Sequence, residues 1–293
     1  MKSKSNSNSI ANIMLNTGFI VYSAICIIPL FVVLSISLSQ EQSIFQTGYS
    51  IIPKALSLKA YEYILMGNSP ILHAYLVTIL VTILGTLLHL MISSMFAYTL
   101  SRNEVKYRNI VSFLVVFCLL FNGGLVPWYI LLSKYLHMKD TFLVLIFPYL
   151  VSSVNVLIMR NFFKGIPDEI IESARIDGSG EFNSFVKLVV PLSTPVLATI
   201  ALFVGVFYWN DWFTAAIFVE NNKLYTLQFL LQSIMNNIAY LQGNALVEDV
   251  AANLPDESAR MATCVLAVGP IIIAYPYLQR YFVKGLTLGA VKS

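Results

Sequence analysis

Long apolar runs separated by short polar stretches make up most of the chain. Six runs reach the roughly 20 residues that a helix needs to cross a bilayer: 17–38, 71–100, 110–132, 141–159, 195–219 and 261–282. The second is longer than a crossing requires and is expected to tilt or project. The pattern predicts an all-α integral membrane protein with six transmembrane helices. It forms one transmembrane domain over residues 1–293, with a first helix at about 17–38 and a core at about 70–282.

Residues 160–194 break this pattern with a charged insert. Pro167 followed by Asp168, Glu169 and Glu172 reads as a helix start, where the dipole favours anions. Ile170, Ile171 and Ala174 supply an apolar stripe, and Gly178 ends the helix by tolerating a left-handed backbone. Phe182, Phe185, Val186 and Val189 then fall at i, i+3, i+4 and i+7, one face of a second helix. Pro191 breaks that helix, and Ser193-Thr194-Pro195 is expected to supply the cap and first-turn proline of the next. Two short amphipathic helices set at an angle outside the bilayer suit docking on another protein.

Composition supports the membrane reading. Hydrophobic residues are 57% of the chain and charged residues 11%, with a mean hydropathy of +0.74. Cys26, Cys118 and Cys264 stand singly in apolar runs, without metal-ligand spacing, and read as small packing residues. The net charge of +3 is small, and the absence of a basic cluster argues against nucleic acid. The first apolar run is longer than a signal-peptide core and lacks a small-x-small cleavage site after it, so it reads as an uncleaved helix. With the N-terminus inside, twelve Lys and Arg fall on the inner side and six on the outer. This bias puts both termini and residues 160–194 in the cytoplasm.

The spans carry a few polar positions. His89 either lines a path or hydrogen-bonds a neighbouring helix. Asn122-Gly123-Gly124 before Pro127 must interrupt or kink the third span near its middle, and broken membrane helices are tolerated where they face protein or a cavity. Asn155 follows Ser152 and Ser153 on the fourth span. Tyr208-Trp209-Asn210-Asp211-Trp212 is the most polar patch of the fifth, where aromatics beside Asn and Asp suit a sugar or an interfacial belt. No Walker-type loop and no catalytic or metal-binding cluster is found, so the chain is expected to bind no cofactor or metal and not to be an enzyme.

Glu172-Ser173-Ala174-x-x-Asp177-Gly178-Ser179, with Phe185 and Pro191-Leu192-x-x-Pro195, resembles the EAA loop of ABC importer permeases. Arg160-Asn161-Phe162-Phe163, Tyr208-Trp209-Asn210-Asp211, Tyr275-Pro276 and the tail from Gln279 to Lys292 narrow this to the carbohydrate-uptake branch, similar to the second permease of maltose-type systems. The resemblance implies a type I importer fold in a bacterial cell membrane. It also implies coupling to an ATPase through Glu172, Ser173, Ala174, Asp177, Gly178, Phe182, Phe185 and Pro191. A homologous second permease would complete a heterodimer, with two cytoplasmic ATPase subunits holding ATP and Mg. An extracytoplasmic solute-binding protein would deliver a sugar, with an oligosaccharide expected and a polyol or amino sugar as the alternative. An ion-coupled secondary transporter would need intramembrane acids and inverted repeats, and only Asp211 answers that description.

Overall fold

The computed structural model describes residues 4–65, 71–242 and 257–273. These are almost entirely helical, and among them the single β contact is the isolated bridge Ser39–Leu56. The chain divides into two compact units, one formed by Met1–Ser69 with Ser233–Pro270, the other by Pro70–Gln232 with Ile271–Ser293.

The first unit opens with α1 (Lys4–Ser37), which starts well before the expected 17 and carries apolar side chains exposed all round. Two short helices follow, α2 (Glu41–Thr47) and α3 (Lys59–Leu65). Glu41 reaches the start of helix 257–273, accepting hydrogen bonds from Glu257 N, Ser258 N and Ser258 Oγ at 2.7–3.1 Å. A carboxylate there satisfies amides that have no partner within the helix.

The second unit is built on α4 (Ile71–Ser101). The expected third span is not one helix. α5 (Arg108–Leu120) and the segment Leu125–Tyr135, which begins with α6 (Leu125–Ile130), meet at 113°. Gly124 turns the corner at φ +86°, and Asn122 Oδ1 accepts from its amide at 2.8 Å. The fourth span is also bent, with 3-10 turns over Phe142–Tyr149 leading at 50° into α7 (Ser153–Phe163). The polar loop then contains α8 (Asp168–Ile176) and a helix running through α9 (Glu181–Ser184) to α10 (Val190–Leu192). After an 82° turn comes α11 (Thr194–Asn210), then α12 (Phe213–Phe218) and α13 (Leu227–Gln242). Among the described residues two helices, Asn12–Ser37 and Ile71–Ser101, are long and apolar enough to cross a membrane alone, and three bent pairs qualify together. The expected sixth span at 261–282 lies partly outside the described residues, as do Tyr275-Pro276 and the tail.

The core forms where α4 packs against α7 and α11. Gly85 lets α11 approach: a Cβ built there would sit 2.6 Å from the ring of Tyr208. Gly205 faces Thr82 and Thr86 in the same crossing. Small residues at such contacts gain dispersion where lipid offers no hydrophobic drive. Tyr208 is held from moving away, because it is fully buried and its hydroxyl donates to Ile146 O at 2.9 Å. Gly85→Ala should therefore destabilise the protein by about 1–3 kcal/mol through overpacking, read as a lower unfolding midpoint in detergent. An unchanged midpoint would show that the crossing has slack.

Candidate functional site

Two places concentrate polar chemistry, and both hang on α4. The first is a cleft of about 340 Å³ lined by His89, Tyr149, Ser152, Asn155, Phe203 and Phe207. His89 donates from Nδ1 to Tyr149 O at 2.8 Å, and its Nε2 accepts from Asn155 Nδ2 at 3.1 Å. His89 thus hydrogen-bonds neighbouring segments, and its edge also lines this cavity. The pairing leaves the Asn155 carbonyl and one amide hydrogen without a partner in this contact, beside the half-exposed rings of Phe203 and Phe207. Aromatic faces next to amide and hydroxyl groups can stack on and hydrogen-bond a sugar.

The other candidate path residues lie elsewhere. Tyr208 is core, and buried Trp209 sits with its ring 6.4 Å from that of Tyr75. Asp211 Oδ1 accepts from Phe213 N at 3.1 Å and Thr214 N at 3.2 Å, starting α12 as a capping carboxylate. Exposed Asn210 donates to Val206 O at 2.8 Å, and Asn122 is the exposed turn residue already described.

The second place is the polar loop. Pro167 precedes α8, and Asp168 and Glu169 occupy its first turn as expected. Gly178 closes it at φ +83°, with Ser179 N donating to Ala174 O at 2.9 Å and Gly178 N to Arg175 O at 3.0 Å. These are the two reverse bonds of a Schellman cap, which needs a residue free of left-handed strain. Ile171 turns inward at 2% exposure, whereas Glu172, Ser173 and Asp177 face out and Ala174 is half-buried.

The following helix departs from the predicted stripe. Phe185 and Val189 are buried, but Phe182 is 67% exposed and Val186 also points out. A wide i→i+5 turn over Phe185–Val189 rotates the faces. It precedes Pro191, which has no N–H and whose ring clashes with the carbonyl four residues back in a regular helix. Ser193 occupies the cap position of α11, yet its hydroxyl makes no capping bond; Thr194 Oγ1 donates instead to Pro191 O at 2.8 Å.

Sequence reasoning missed the group that anchors this loop. Arg175 donates from Nη1 to Glu104 Oε1 at 2.7 Å and from Nε to Glu181 Oε1 at 2.8 Å, and Nη2 contacts both carboxylates. Glu181 Oε2 accepts from Tyr98 OH at 3.0 Å. Arg102 lies over the Tyr98 ring at 4.9 Å and pairs with Asp168 at 3.2 Å. The hydrogen bond from Arg175 holds the Glu104 carboxyl below its ordinary range, and the same contacts raise Arg175. A lowered carboxylate stabilises the fold above its unfolded pKa, and that contribution is lost as pH falls through the lowered value. Glu104 lies far from the loop in sequence, so only the opposite charges inside the motif pointed this way.

Residues 16–288 match the model for binding-protein-dependent transport system inner membrane components. The chain belongs to that family. It is similar to the polygalacturonan/rhamnogalacturonan transport system permease protein YtcP of Bacillus subtilis, 36% identical over 281 residues, covering 96% of this chain and 98% of that one. The arabinooligosaccharides transport system permease protein AraQ of the same organism is 28% identical, with 97% of each chain covered. A solved bacterial ABC transporter involved in the import of the acidic polysaccharide alginate superposes with a TM-score of 0.82 at 26% identity, covering 96% of this chain and all of that one. This chain is thus an ABC importer permease of the carbohydrate-uptake branch, embedded in a membrane through apolar helices.

At Gly178 any side chain meets the left-handed penalty of about 1–2 kcal/mol. Gly178→Val should unwind the end of α8, seen as faster protease cleavage after Arg175 in the purified protein. Wild-type cleavage rates would mean that the cap does not hold the helix.

Proposed function

We propose that this chain is one half of a permease heterodimer in a bacterial cell membrane, importing an oligosaccharide delivered by an extracytoplasmic binding protein. Six spans leave both termini and the 160–194 loop in the cytoplasm, where ATP and Mg are bound on two ATPase subunits. The single observation that carries the reading is α8: a capped, exposed helix whose outer face is Glu172, Ser173 and Asp177, anchored at both ends beneath α4. Such a helix docks in a cleft of the ATPase, and ATP-driven closure there rocks the helices between inward and outward access. Hydrolysis belongs to the partners, and this chain supplies the lever and part of the path.

The cleft between His89, Asn155, Phe203 and Phe207 is the candidate for sugar contact, with Asn155 orienting hydroxyls and the rings stacking on sugar faces. An oligosaccharide cargo draws support from the names of YtcP and AraQ and from the alginate importer. The cargo class is tested by ATP-dependent uptake of oligogalacturonides and arabinooligosaccharides into vesicles carrying the full complex. Asn155→Leu should cut that uptake about tenfold or more, as expected when a polar contact to sugar is lost, while leaving assembly intact. Uptake without ATP, or normal uptake by Asn155→Leu, would overturn the corresponding part. Orientation is checked separately: Ser179→Cys in intact cells should resist an impermeant thiol reagent, and labelling would reverse the topology.

A further inference from the structure

α8 is tied to the rest of the unit by ion pairs at its two ends and, between them, by Ile171, which is buried in the core. At its first residue, Asp168 pairs with Arg102, whose side chain is buried. At its last turn, Arg175 grips Glu104 with two nitrogens and Glu181 with a third. Both ends lead to one side chain, Tyr98. Its ring lies under the Arg102 guanidinium, packs on Phe185 at 5.2 Å, and its hydroxyl reaches Glu181. Tyr98, Arg102 and Glu104 lie at the end of α4 and just beyond it. An open cleft of about 400 Å³ beside this anchor is lined by Tyr98, Arg102, Glu104, Arg175, Glu181 and Phe182. The outward end of α8 is bare, with Ile176 86% exposed. Displacement of this helix therefore has a polar, two-point route to the end of α4, beside the core packing of Ile171.

We propose that Arg175 and Glu104, with Asp168 and Arg102, form a strut that makes α8 move as one body with α4. The strut carries motion of α8 to the His89–Asn155 cleft higher on the same helix. Arg175 is a positioning residue here, distinct from the outward face that would meet the ATPase. A bidentate, charge-assisted pair suits this role because it fixes angle as well as distance. The proposal rests on the docking reading of α8, and its test separates the two.

The test uses the full complex, purified through a tag on this chain, with Cys26, Cys118 and Cys264 replaced by serine and Ser152→Cys placed in the cleft. Maleimide labelling of that cysteine is followed with ATP and vanadate and without nucleotide. Labelling should change several-fold with nucleotide when the strut is intact. Arg175→Gln should abolish the change while the ATPase subunit still co-purifies and still hydrolyses ATP. Arg175→Glu combined with Glu104→Arg and Glu181→Gln rebuilds one charge pair in reverse and should restore it, which a purely local packing role would not allow. Nucleotide dependence that survives Arg175→Gln overturns the strut, as does its absence from the parent protein. Loss of the ATPase from the Arg175→Gln complex makes Arg175 a docking contact, which also overturns it while leaving the docking reading standing. Absence of an ATPase from every preparation, the parent included, overturns the docking reading and the strut together.

Discussion

A backbone carbonyl freed by a broken helix has no water to turn to inside a bilayer, and most of the second unit is arranged around that cost. The 3-10 turns at Phe142–Tyr149 leave carbonyls pointing sideways, and side chains from two other helices meet them. Tyr208 donates to Ile146, His89 to Tyr149 and Ser93 to Leu150. Ile146 O also accepts from Tyr149 N at 3.3 Å, so the larger burden falls on His89 and Ser93, since an unmet carbonyl would cost about 1–3 kcal/mol. The bent segment also lines the cleft, through Tyr149, Val151 and Ser152 beside Asn155. The break at Gly124 is handled locally: Asn122 serves its amide, next to its own corner.

The same logic divides the polar residues of the apolar spans into those consumed by the fold and those with capacity left over. Asp211 spends its carboxylate on the amides that start α12, and Tyr208 spends its hydroxyl on a carbonyl. Asn155 is different. Its contact with His89 uses one hydrogen of four possible bonds and fixes the orientation of the amide. Partial use in a cavity, with aromatic neighbours, is what a binding group requires.

α4 joins the two candidate sites. His89 and Tyr98 lie nine residues apart on it, about 14 Å along a helix axis. The cleft and the loop anchor therefore share one continuous helix. The anchor is electrostatic where the crossing with α11 is steric. That difference follows from place: charges are tolerated at the membrane surface, whereas inside the spans only close packing and neutral hydrogen bonds are affordable.

Hydrophobic periodicity alone determined the helical class, the start of α4 at Ile71, and the polar loop with its entry at Pro167 and its stop at Gly178. Those features depend on neighbours in sequence: a proline that presets φ, a glycine that accepts the left-handed region, an apolar run of the right length. The family was legible for the same reason, since its motif is local. What only the tertiary structure decided is whatever joins distant segments. No periodicity says that Glu104 closes on Arg175, that Gly85 receives the Tyr208 ring, or that His89 turns toward the Tyr149 carbonyl. It misassigned Phe182 and Val186, which point outward, because an amphipathic repeat does not record which apolar residues meet a neighbour. It placed the interruption at 122–127 but not the 113° through which the chain turns there, because a run of apolar residues records length and not direction.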